Sequence, residues 1–287
     1  GLSGKYRNSV VTFGVKLKSF AIAEDIGDGD HSALSSIPSE QRGKAQLIIK
    51  ESGVFVGGAL AAYLFKYIDA TATVKHFIED GALVEKGTLA LTVEGNTIKL
   101  LQSERLVLNY LQRLSGIATR TYSYARLIDH TKCTVLDTRK TTPGLRVLEK
   151  WAVALGGGGN HRMGLYDMVM LKDNHIDFAG GISKAVARTK AYLAESNRTL
   201  AIEVETRNMQ EVSAAIQAGV DRIMLDNFSI SETKEAVEYI AGRTEVESSG
   251  GITHDTLVPY AECGVDFISV GALTHHIKGL DMSLKAL

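Results

Sequence analysis

From residue 134 onward the sequence alternates short apolar runs with amphipathic helical patterns, and this alternation limits the possible folds more than any other feature. Six runs have the length of buried strands: Thr134–Leu136, Met168–Leu171, Leu200–Val204, Arg222–Leu225, Glu245–Glu247 and Phe267–Val270. Helical patterns fill the gaps at about 143–155, 180–195, 208–218, 229–241 and 253–263. Strands that alternate with helices form parallel sheets with right-handed crossovers. Because six strands are too few for the standard eight-stranded barrel, the pattern predicts a variant or open α/β barrel.

Charged or glycine-rich residues follow every one of these predicted strands. In chain order they are Arg139 and Lys140, Lys172 and Asp173, Glu205, Asp226 and Asn227, Ser249 to Gly251, and Gly271 with Ala272. Functional groups of α/β barrels lie just past the C-terminal ends of the strands. The repetition of such residues in step with the strands therefore predicts a functional site at that end.

Two loops of this face have the composition of phosphate-binding loops. Ser249-Gly250-Gly251 precedes a predicted helix start at Thr253, so bare backbone N–H groups and a helix dipole would face an anion. Gly271 follows the neighbouring strand, and late-strand loops of such barrels often share a phosphate. A plain turn is the alternative for each loop taken alone.

A carboxylate pair at the same face is suited to a metal. Glu205 and Asp226 follow neighbouring predicted strands, so their side chains could converge. Such pairs hold Mg²⁺, usually through water and substrate phosphates. The alternative is a pair of ordinary salt-bridge partners.

The stretch from Asp137 to His175 has a local excess of positive charge, although the whole chain has a net charge of −1. Its fixed cations are Arg139, Lys140, Arg146, Lys150, Arg162 and Lys172, to which His161 and His175 add. A focused positive site suits a small, highly anionic ligand. With the phosphate loops and the carboxylate pair, it fits a phosphorylated sugar pyrophosphate that meets a second anion.

The composition excludes several other classes of protein. The 287 residues are 45% apolar and 23% charged, which is typical of a globular protein with one large domain or two ordinary ones. The near-zero net charge argues against nucleic acid as a partner, and the apolar run Gly57–Phe65 is too short to span a membrane. Cys133 and Cys263 lack C-x-x-C spacing, and residues 1–20 lack a secretory-signal pattern. We therefore expect a cytoplasmic protein.

The first half of the sequence predicts strands at 45–56 and 71–77 and a helix at Ala59–Ile68. A longer helical pattern runs from Ser103, a plausible N-cap, to about Asp129. Arg105 would lie at the start of this helix, where the helix dipole disfavours a cation. That placement suggests that Arg105 faces an anion from elsewhere, although a solvated arginine is equally compatible with the sequence.

Short motifs spread over nearly the whole chain carry a further signal. They are E-D-I-G-D-G-D (24–30), L-N-Y-L-Q-R-L-S-G-I-A-T (108–119), D-T-R-K-T-T-P-G-L-R (137–146), G-G-G-G-N-H-R (156–162), K-D-N-H-I (172–176), E-V-E (203–205), L-D-N-F (225–228), S-S-G-G-I (248–252) and the Gly271 loop. Together they closely resemble the quinolinate phosphoribosyltransferase family, the carboxylating nicotinate-nucleotide pyrophosphorylases of de novo NAD biosynthesis. D-T-R-K-T-T-P-G is the most specific of these motifs.

The resemblance implies an N-terminal α/β sandwich domain (1–114) followed by an open, six- to seven-stranded α/β barrel (115–274). The C-terminal residues 275–287 would pack with the first domain. The resemblance also implies a homodimer with active sites shared between subunits. The implied reaction transfers phosphoribosyl from phosphoribosyl pyrophosphate to quinolinate with decarboxylation, and it yields nicotinate mononucleotide, pyrophosphate and CO₂.

The resemblance also assigns roles to residues of the predicted site. The quinolinate carboxylates would be held by Arg139, His161, Arg162 and Lys172, with Arg105 reaching in from the other subunit. Phosphoribosyl pyrophosphate and Mg²⁺ would be held by Lys140, Glu205, Asp226, Ser249, Gly250, Gly251 and Gly271. The catalytic residues would be Lys140, Lys172, Glu205 and Asp226. Glu205 and Asp226 would bind Mg²⁺ largely through the substrate pyrophosphate and water.

Three questions stay open from the sequence. Asp173 and His175 could orient neighbouring groups or be structural loop residues. A close paralogue associated with molybdate transport shares much of the motif pattern and would act on a different substrate. A metabolite-binding protein without catalytic activity could retain the same pocket.

Overall fold

The structure is a computed structural model that describes residues 20–287. Nearly all of the segment 1–20, in which no secretory pattern was found, lies outside the described residues. The chain divides into two compact units. The first comprises Gly1–Tyr122, Thr141–Gly157 and Leu273–Leu287, and the second comprises Ser123–Lys140 and Gly158–Ala272. Within residues 20–287 no helix is both long and apolar enough to cross a membrane.

The first unit contains a four-stranded antiparallel sheet in the order β12-β1-β5-β3. The strands are β1 (Arg42–Ile49), β3 (Thr73–His76), β5 (Leu89–Asn96) and β12 (Met282–Ala286). The last strand of the chain therefore pairs with the first, at the register Ala45 to Ala286. Alternate residues of β1 are buried, which is typical of a sheet with one face in the core.

The predicted strand at 45–56 is interrupted in the structure. β1 ends at Ile49, and a separate short strand, β2 (Gly53–Val54), pairs with β4 (Leu83–Val84). The helix after it, Gly58–Ile68, agrees with its prediction and buries Leu60 and Leu64. A short helix also forms at His31–Ser36, and residues 20–26 are helical.

The long helix begins at Thr97 and ends at Leu127, so its predicted start at Ser103 was wrong. Ser103 lies inside the helix, where its Oγ donates to the carbonyl of Lys99 at 2.6 Å. The Asn96 side chain instead accepts from the Lys99 N–H at 3.2 Å and caps the first turn. Arg105 is therefore more than one turn from the helix start, and the dipole argument for an anion near it fails.

The second unit contains a six-stranded parallel sheet in the order β6-β11-β10-β9-β8-β7. Its strands are β6 (Thr134–Leu136), β7 (Val169–Leu171), β8 (Ile202–Thr206), β9 (Arg222–Asp226), β10 (Glu245–Ser249) and β11 (Phe267–Ser269). Among the described residues β6 and β7 do not pair with each other, so the sheet is open. The predicted fold class, a small sheet domain followed by an open α/β domain, is confirmed.

Helices lie between these strands in the chain and after the last of them. They are Arg146–Leu155, Asp173–Ala179, Ile182–Glu195, Met209–Ala218, Ile230–Ile240, Leu257–Glu262 and Ala272–His275. Two differ from prediction. The region after β7 holds two helices rather than one. Gly180 and Gly181 separate them, because both have a positive φ (81° and 113°) that an α-helix does not accommodate. The helix after β10 starts at Leu257 and not at Thr253, because residues 253–256 form a turn closed by the Thr253 carbonyl and the Thr256 N–H.

Candidate functional site

The strands β8, β9 and β10 carry polar side chains on one face of the sheet and apolar side chains on the other. Side chains alternate along a strand, so residues two apart share a face. The sheet register pairs Glu203 with Arg222 and Ser249 with Asp226. The polar face holds Glu203, Glu205, Arg222, Asp226, Glu245, Glu247 and Ser249. The opposite face buries Val204, Ile223, Leu225 and Val246.

Lys172 and Glu205 meet at the C-terminal ends of β7 and β8. The Lys172 Nζ lies 2.8 Å from the Glu205 Oε2. The lysine side chain is 46% exposed, whereas the glutamate side chain is 11% exposed. The ion pair therefore presents an accessible cation above a carboxylate that is nearly buried. The structure therefore brings together Lys172, which was predicted for quinolinate, and Glu205, which was predicted for phosphoribosyl pyrophosphate and Mg²⁺.

The loops after β9 and β10 interlock. Asn227 has a positive φ of 57°, its N–H donates to the Ser249 carbonyl at 2.9 Å, and its side chain donates to Asp226 at 2.8 Å. Gly250 has a φ of 98°, and a Cβ there would overlap the Asn227 side chain. Gly250 must therefore be glycine for two reasons, while Gly251, at φ 61°, has open space around it. Because the helix begins at Leu257 and not at Thr253, its dipole does not act on this loop as predicted. Only the backbone N–H groups of the loop are left to bind an anion.

The buried carboxylate of Asp137 organises the N-H-R motif. It accepts from the Asn160 side chain at 2.6 Å and from the His161 N–H at 2.9 Å. Gly159 lies alongside β6 as an isolated parallel bridge to Leu136, and a Cβ on Gly159 would collide with that leucine. The glycine-rich segment before Arg162 is therefore held to the edge strand β6.

Arg162 is a partly buried cation that is influenced by the charge of Arg139. Burial and then the positive charge of Arg139 lower the pKa of Arg162. The Arg162 guanidinium donates to the Met168 carbonyl at 3.3 Å. The following loop is closed by Asp167, whose carboxylate accepts from the N–H groups of Met163 and Gly164 at 2.7 and 2.9 Å. Arg139 and Arg162 supply two fixed cations, which suit an anionic ligand.

The imidazole of His161 lies in the interior, contrary to its expected place at the open end. Its Nε2 is 3.1 Å from the Glu203 Oε2 and 3.2 Å from the Glu247 Oε2, and both glutamates are fully buried. The Arg222 Nη1 approaches the same Glu247 oxygen at 3.2 Å, and the Arg222 guanidinium packs over the Phe267 ring. We name His161, Glu203, Arg222 and Glu247 the interior cluster.

The protonation of the interior cluster follows from its contacts. Burial opposes a charge on His161, but the contacts and charges of Glu203 and Glu247 outweigh it and raise its pKa to about 9. Burial and the charge of Glu247 also raise the pKa of Glu203. The His161 Nδ1 accepts the Arg162 N–H at 2.7 Å, so the ring carries its proton on Nε2. A pKa of about 9 would place a second proton on the ring at neutral pH, whereas the contact with Arg162 leaves Nδ1 unprotonated; the contact favours a neutral ring whose Nε2 proton faces the two carboxylates.

The remaining predicted residues are placed as follows. Lys140 follows β6, and its N–H donates to the Thr138 Oγ1 at 3.0 Å. Gly271 follows β11. The His175 Nδ1 accepts the Lys172 N–H at 3.0 Å and caps the helix Asp173–Ala179, a contact that supports its structural interpretation. Arg105 belongs to the first compact unit, whereas all the other predicted site residues belong to the second.

Sequence reasoning gave no role to Asp137, Glu203, Arg222 or Glu247. A signal for two of them exists, because Glu203 with Glu205 and Glu245 with Glu247 are charged residues two positions apart that flank a valine. A cavity of about 260 Å³ in the first unit is lined by residues that include His76, Asp80 and Trp151. It contains none of the predicted site residues.

Family models match nearly all of the described chain. The model described as quinolinate phosphoribosyl transferase, C-terminal domain, matches residues 117–285, and that of the N-terminal domain matches residues 30–115. The chain belongs to the quinolinate phosphoribosyltransferase family. The resemblance stated from the sequence motifs is confirmed.

Individual members of the family are similar to this chain over most of their length. A chloroplastic nicotinate-nucleotide pyrophosphorylase (carboxylating) of Oryza sativa subsp. japonica is 47% identical over 283 residues, which cover 93% of this chain and 76% of the relative. A probable nicotinate-nucleotide pyrophosphorylase (carboxylating) of Bacillus subtilis is 40% identical over 94% of this chain and 92% of its own length. The crystal structure of NadC from Streptococcus pyogenes superposes with a TM-score of 0.91 at 39% identity, covering 96% of this chain and 97% of that one.

Proposed function

We propose that this chain transfers the phosphoribosyl group of phosphoribosyl pyrophosphate to quinolinate and releases pyrophosphate and CO₂, leaving nicotinate mononucleotide. Two kinds of evidence support the proposal. Relatives that match over most of their length are named for this activity. The observation that carries it in the structure is the Lys172–Glu205 ion pair of 2.8 Å, because it joins a cation predicted for quinolinate to a carboxylate predicted for the metal and the sugar pyrophosphate.

On the quinolinate side, Arg139, Arg162 and Lys172 bind the two carboxylates. A planar guanidinium pairs bidentately with a carboxylate, which sets the plane of the pyridine ring. His161 belongs to this side by its place in the N-H-R motif, and Arg105 belongs to it as a contribution from a second copy of the chain. Quinolinate binds with its ring nitrogen directed at C1 of the ribose.

On the sugar side, phosphoribosyl pyrophosphate contacts Lys140, Ser249, Gly250, Gly251 and Gly271. Glu205 and Asp226 offer hard carboxylate oxygens at the ends of two hydrogen-bonded strands, which suits Mg²⁺. These two residues would hold the ion, largely through water and the pyrophosphate, and the ion would supply charge neutralisation to the leaving group.

Bond changes at the ribose need no covalent enzyme intermediate. The C1–O bond to pyrophosphate breaks, and Lys140 stabilises the departing negative charge. The ring nitrogen donates its electron pair to C1 and becomes a pyridinium. The bond between ring carbon 2 and its carboxylate then breaks, and CO₂ leaves. The electron pair of the broken bond remains on ring carbon 2, which then takes up a proton. The side chains bind, orient and neutralise.

Labelled quinolinate tests the reaction directly. The purified chain is mixed with quinolinate labelled in the 2-carboxyl group, phosphoribosyl pyrophosphate and Mg²⁺, and released CO₂ is counted against released pyrophosphate. Equal amounts of both products are expected. Neither product, with no binding of quinolinate by calorimetry, would favour the different substrate of the molybdate-associated paralogue. Neither product, with quinolinate still bound, would favour a metabolite-binding protein.

The assembly and the cellular location complete the proposal. The active form is a homodimer whose sites are shared between subunits, and the mixing experiment in the Discussion tests it. The location is the cytoplasm, which agrees with cysteines that form no disulfide. Because several plant relatives are named chloroplastic or mitochondrial, imaging of the tagged full-length protein in its own cell decides the location.

A further inference from the structure

The interior cluster places two carboxylates around one imidazole where water does not reach. Glu203 and Glu247 are fully buried, and the His161 side chain is 5% exposed. The His161 Nε2 lies 3.1 Å from an oxygen of Glu203 and 3.2 Å from an oxygen of Glu247, so a single ring N–H serves two buried acceptors. Buried polar atoms left in this state cost stability, so their presence requires an explanation.

Stability alone does not explain the cluster. Replacing buried ionic groups with apolar groups of similar volume is often neutral or stabilising. Apolar side chains fit in the interior of these strands, because valine, isoleucine and leucine fill their opposite face. The same residue types could have stood in place of the cluster. Features that break the rules of core composition tend to serve a site nearby.

The cluster connects directly to the backbone that carries Arg162. The Nε2 side of His161 faces the two glutamates, and its Nδ1 accepts the Arg162 N–H at 2.7 Å. The His161 backbone N–H is held by Asp137 at 2.9 Å. His161 is thus held at three points, which are its two ring nitrogens and its backbone N–H. Because the Arg162 N–H donates to one of them, the direction in which the Arg162 side chain leaves the backbone depends on the ring.

We propose that Glu203, Arg222 and Glu247 are positioning residues that hold the His161 ring and thereby aim Arg162 at the carboxylates of quinolinate. This proposal rests on the proposed function and assigns His161 an indirect part in binding. Arg222 balances the charge of the two glutamates, with its Nη1 3.2 Å from the Glu247 Oε2 and 4.0 Å from the Glu203 Oε2. Its fixed cation is also the reason why the cluster is not a metal site, although the His161, Glu203 and Glu247 ligand atoms lie within 4.8 Å of one another.

The test compares Glu247→Ala with two other variants. Glu247→Gln keeps the shape and an acceptor oxygen for His161. Glu245→Gln is the matched control, because Glu245 lies on the same strand and pairs with Arg222 at 2.9 Å but is exposed and belongs outside the cluster. Quinolinate binding is measured by calorimetry on each protein, so the result does not depend on turnover. The KM values of both substrates are measured in parallel.

The Glu247→Ala variant should bind quinolinate about tenfold more weakly, the loss expected when a buried donor loses a partner. Its KM for phosphoribosyl pyrophosphate should change less than about twofold. Glu247→Gln should recover part of the lost affinity, and Glu245→Gln should match the wild type.

Three results would overturn the proposal. The first is unchanged quinolinate affinity in a folded Glu247→Ala protein. The second is an equal loss for both substrates, which would mean a purely structural role. The third is a stoichiometric transition metal in the purified protein by elemental analysis. Failure of the proposed function shows separately, as wild-type protein that releases no CO₂.

Discussion

Replacing Lys172 with alanine should abolish most turnover while leaving the fold intact. The Lys172 side chain is 46% exposed, so its ion pair with Glu205 contributes only about 0–1 kcal/mol to stability. In a protein of this size such a loss lowers Tm by about 4 °C or less. Loss of a charge-assisted contact to the reacting substrates should cost on the order of 2–4 kcal/mol of transition-state stabilisation. That is roughly a 30- to 1,000-fold fall in kcat/KM for quinolinate.

The assay follows CO₂ release from labelled quinolinate and thermal unfolding on the same preparations. Lys190→Ala is the matched control, because Lys190 is in the same compact unit and binds only the carbonyls of Ala218 and Gly219 in the described contacts. It removes the same charge and should keep wild-type turnover. Near-normal kcat/KM in Lys172→Ala would refute its place in the site. A Tm fall well beyond that of the control would show that the ion pair with Glu205 is mainly structural.

The other predictions concern the metal, the loop and the assembly. Alanine at both Glu205 and Asp226 should weaken Mg²⁺-dependent binding of phosphoribosyl pyrophosphate at least about tenfold and quinolinate binding less; equal losses by calorimetry would argue against a metal role. Gly250→Ala should lose about 1–3 kcal/mol of unfolding free energy in a denaturant titration, because alanine is strained at φ 98° and overlaps a neighbour; unchanged stability would contradict the loop geometry. Mixing inactive Arg105→Ala and Lys172→Ala chains should restore about a quarter of wild-type activity, because half of randomly assorted dimers are mixed and each contains one intact site. Verified subunit exchange without recovery would show that Arg105 serves its own chain.

The parallel sheet and its polar end could be predicted from local patterns. Each strand of the second unit lies in a short run between two helical patterns, and the apolar residues in these runs were enough to predict the strands. Lys172, Glu205 and Asp226 could be assigned to strand ends because the end of a strand is a local property of the chain. The family motifs are also local, so the family could be recognised without knowledge of any contact.

Helix starts were predicted less well, because packing competes with capping at each end. Ser103 has the chemistry of an N-cap, but Ile98 and Leu100 are buried, and their burial extends the helix back to Thr97. Thr253 likewise precedes a helical pattern, but its turn with Thr256 delays the helix to Leu257. A cap residue indicates where a helix can begin, and the tertiary structure decides where it does begin.

The sequence by itself determined the fold class, the family and the positions of Lys172, Glu205 and Asp226 at strand ends. Only the tertiary structure decided that His161 turns inward between Glu203 and Glu247. Those glutamates are 44 residues apart in the chain and lie on strands separated by a third, β9. Their meeting depends on strand order and register, which arise from contacts distant in sequence and leave no mark in any local pattern.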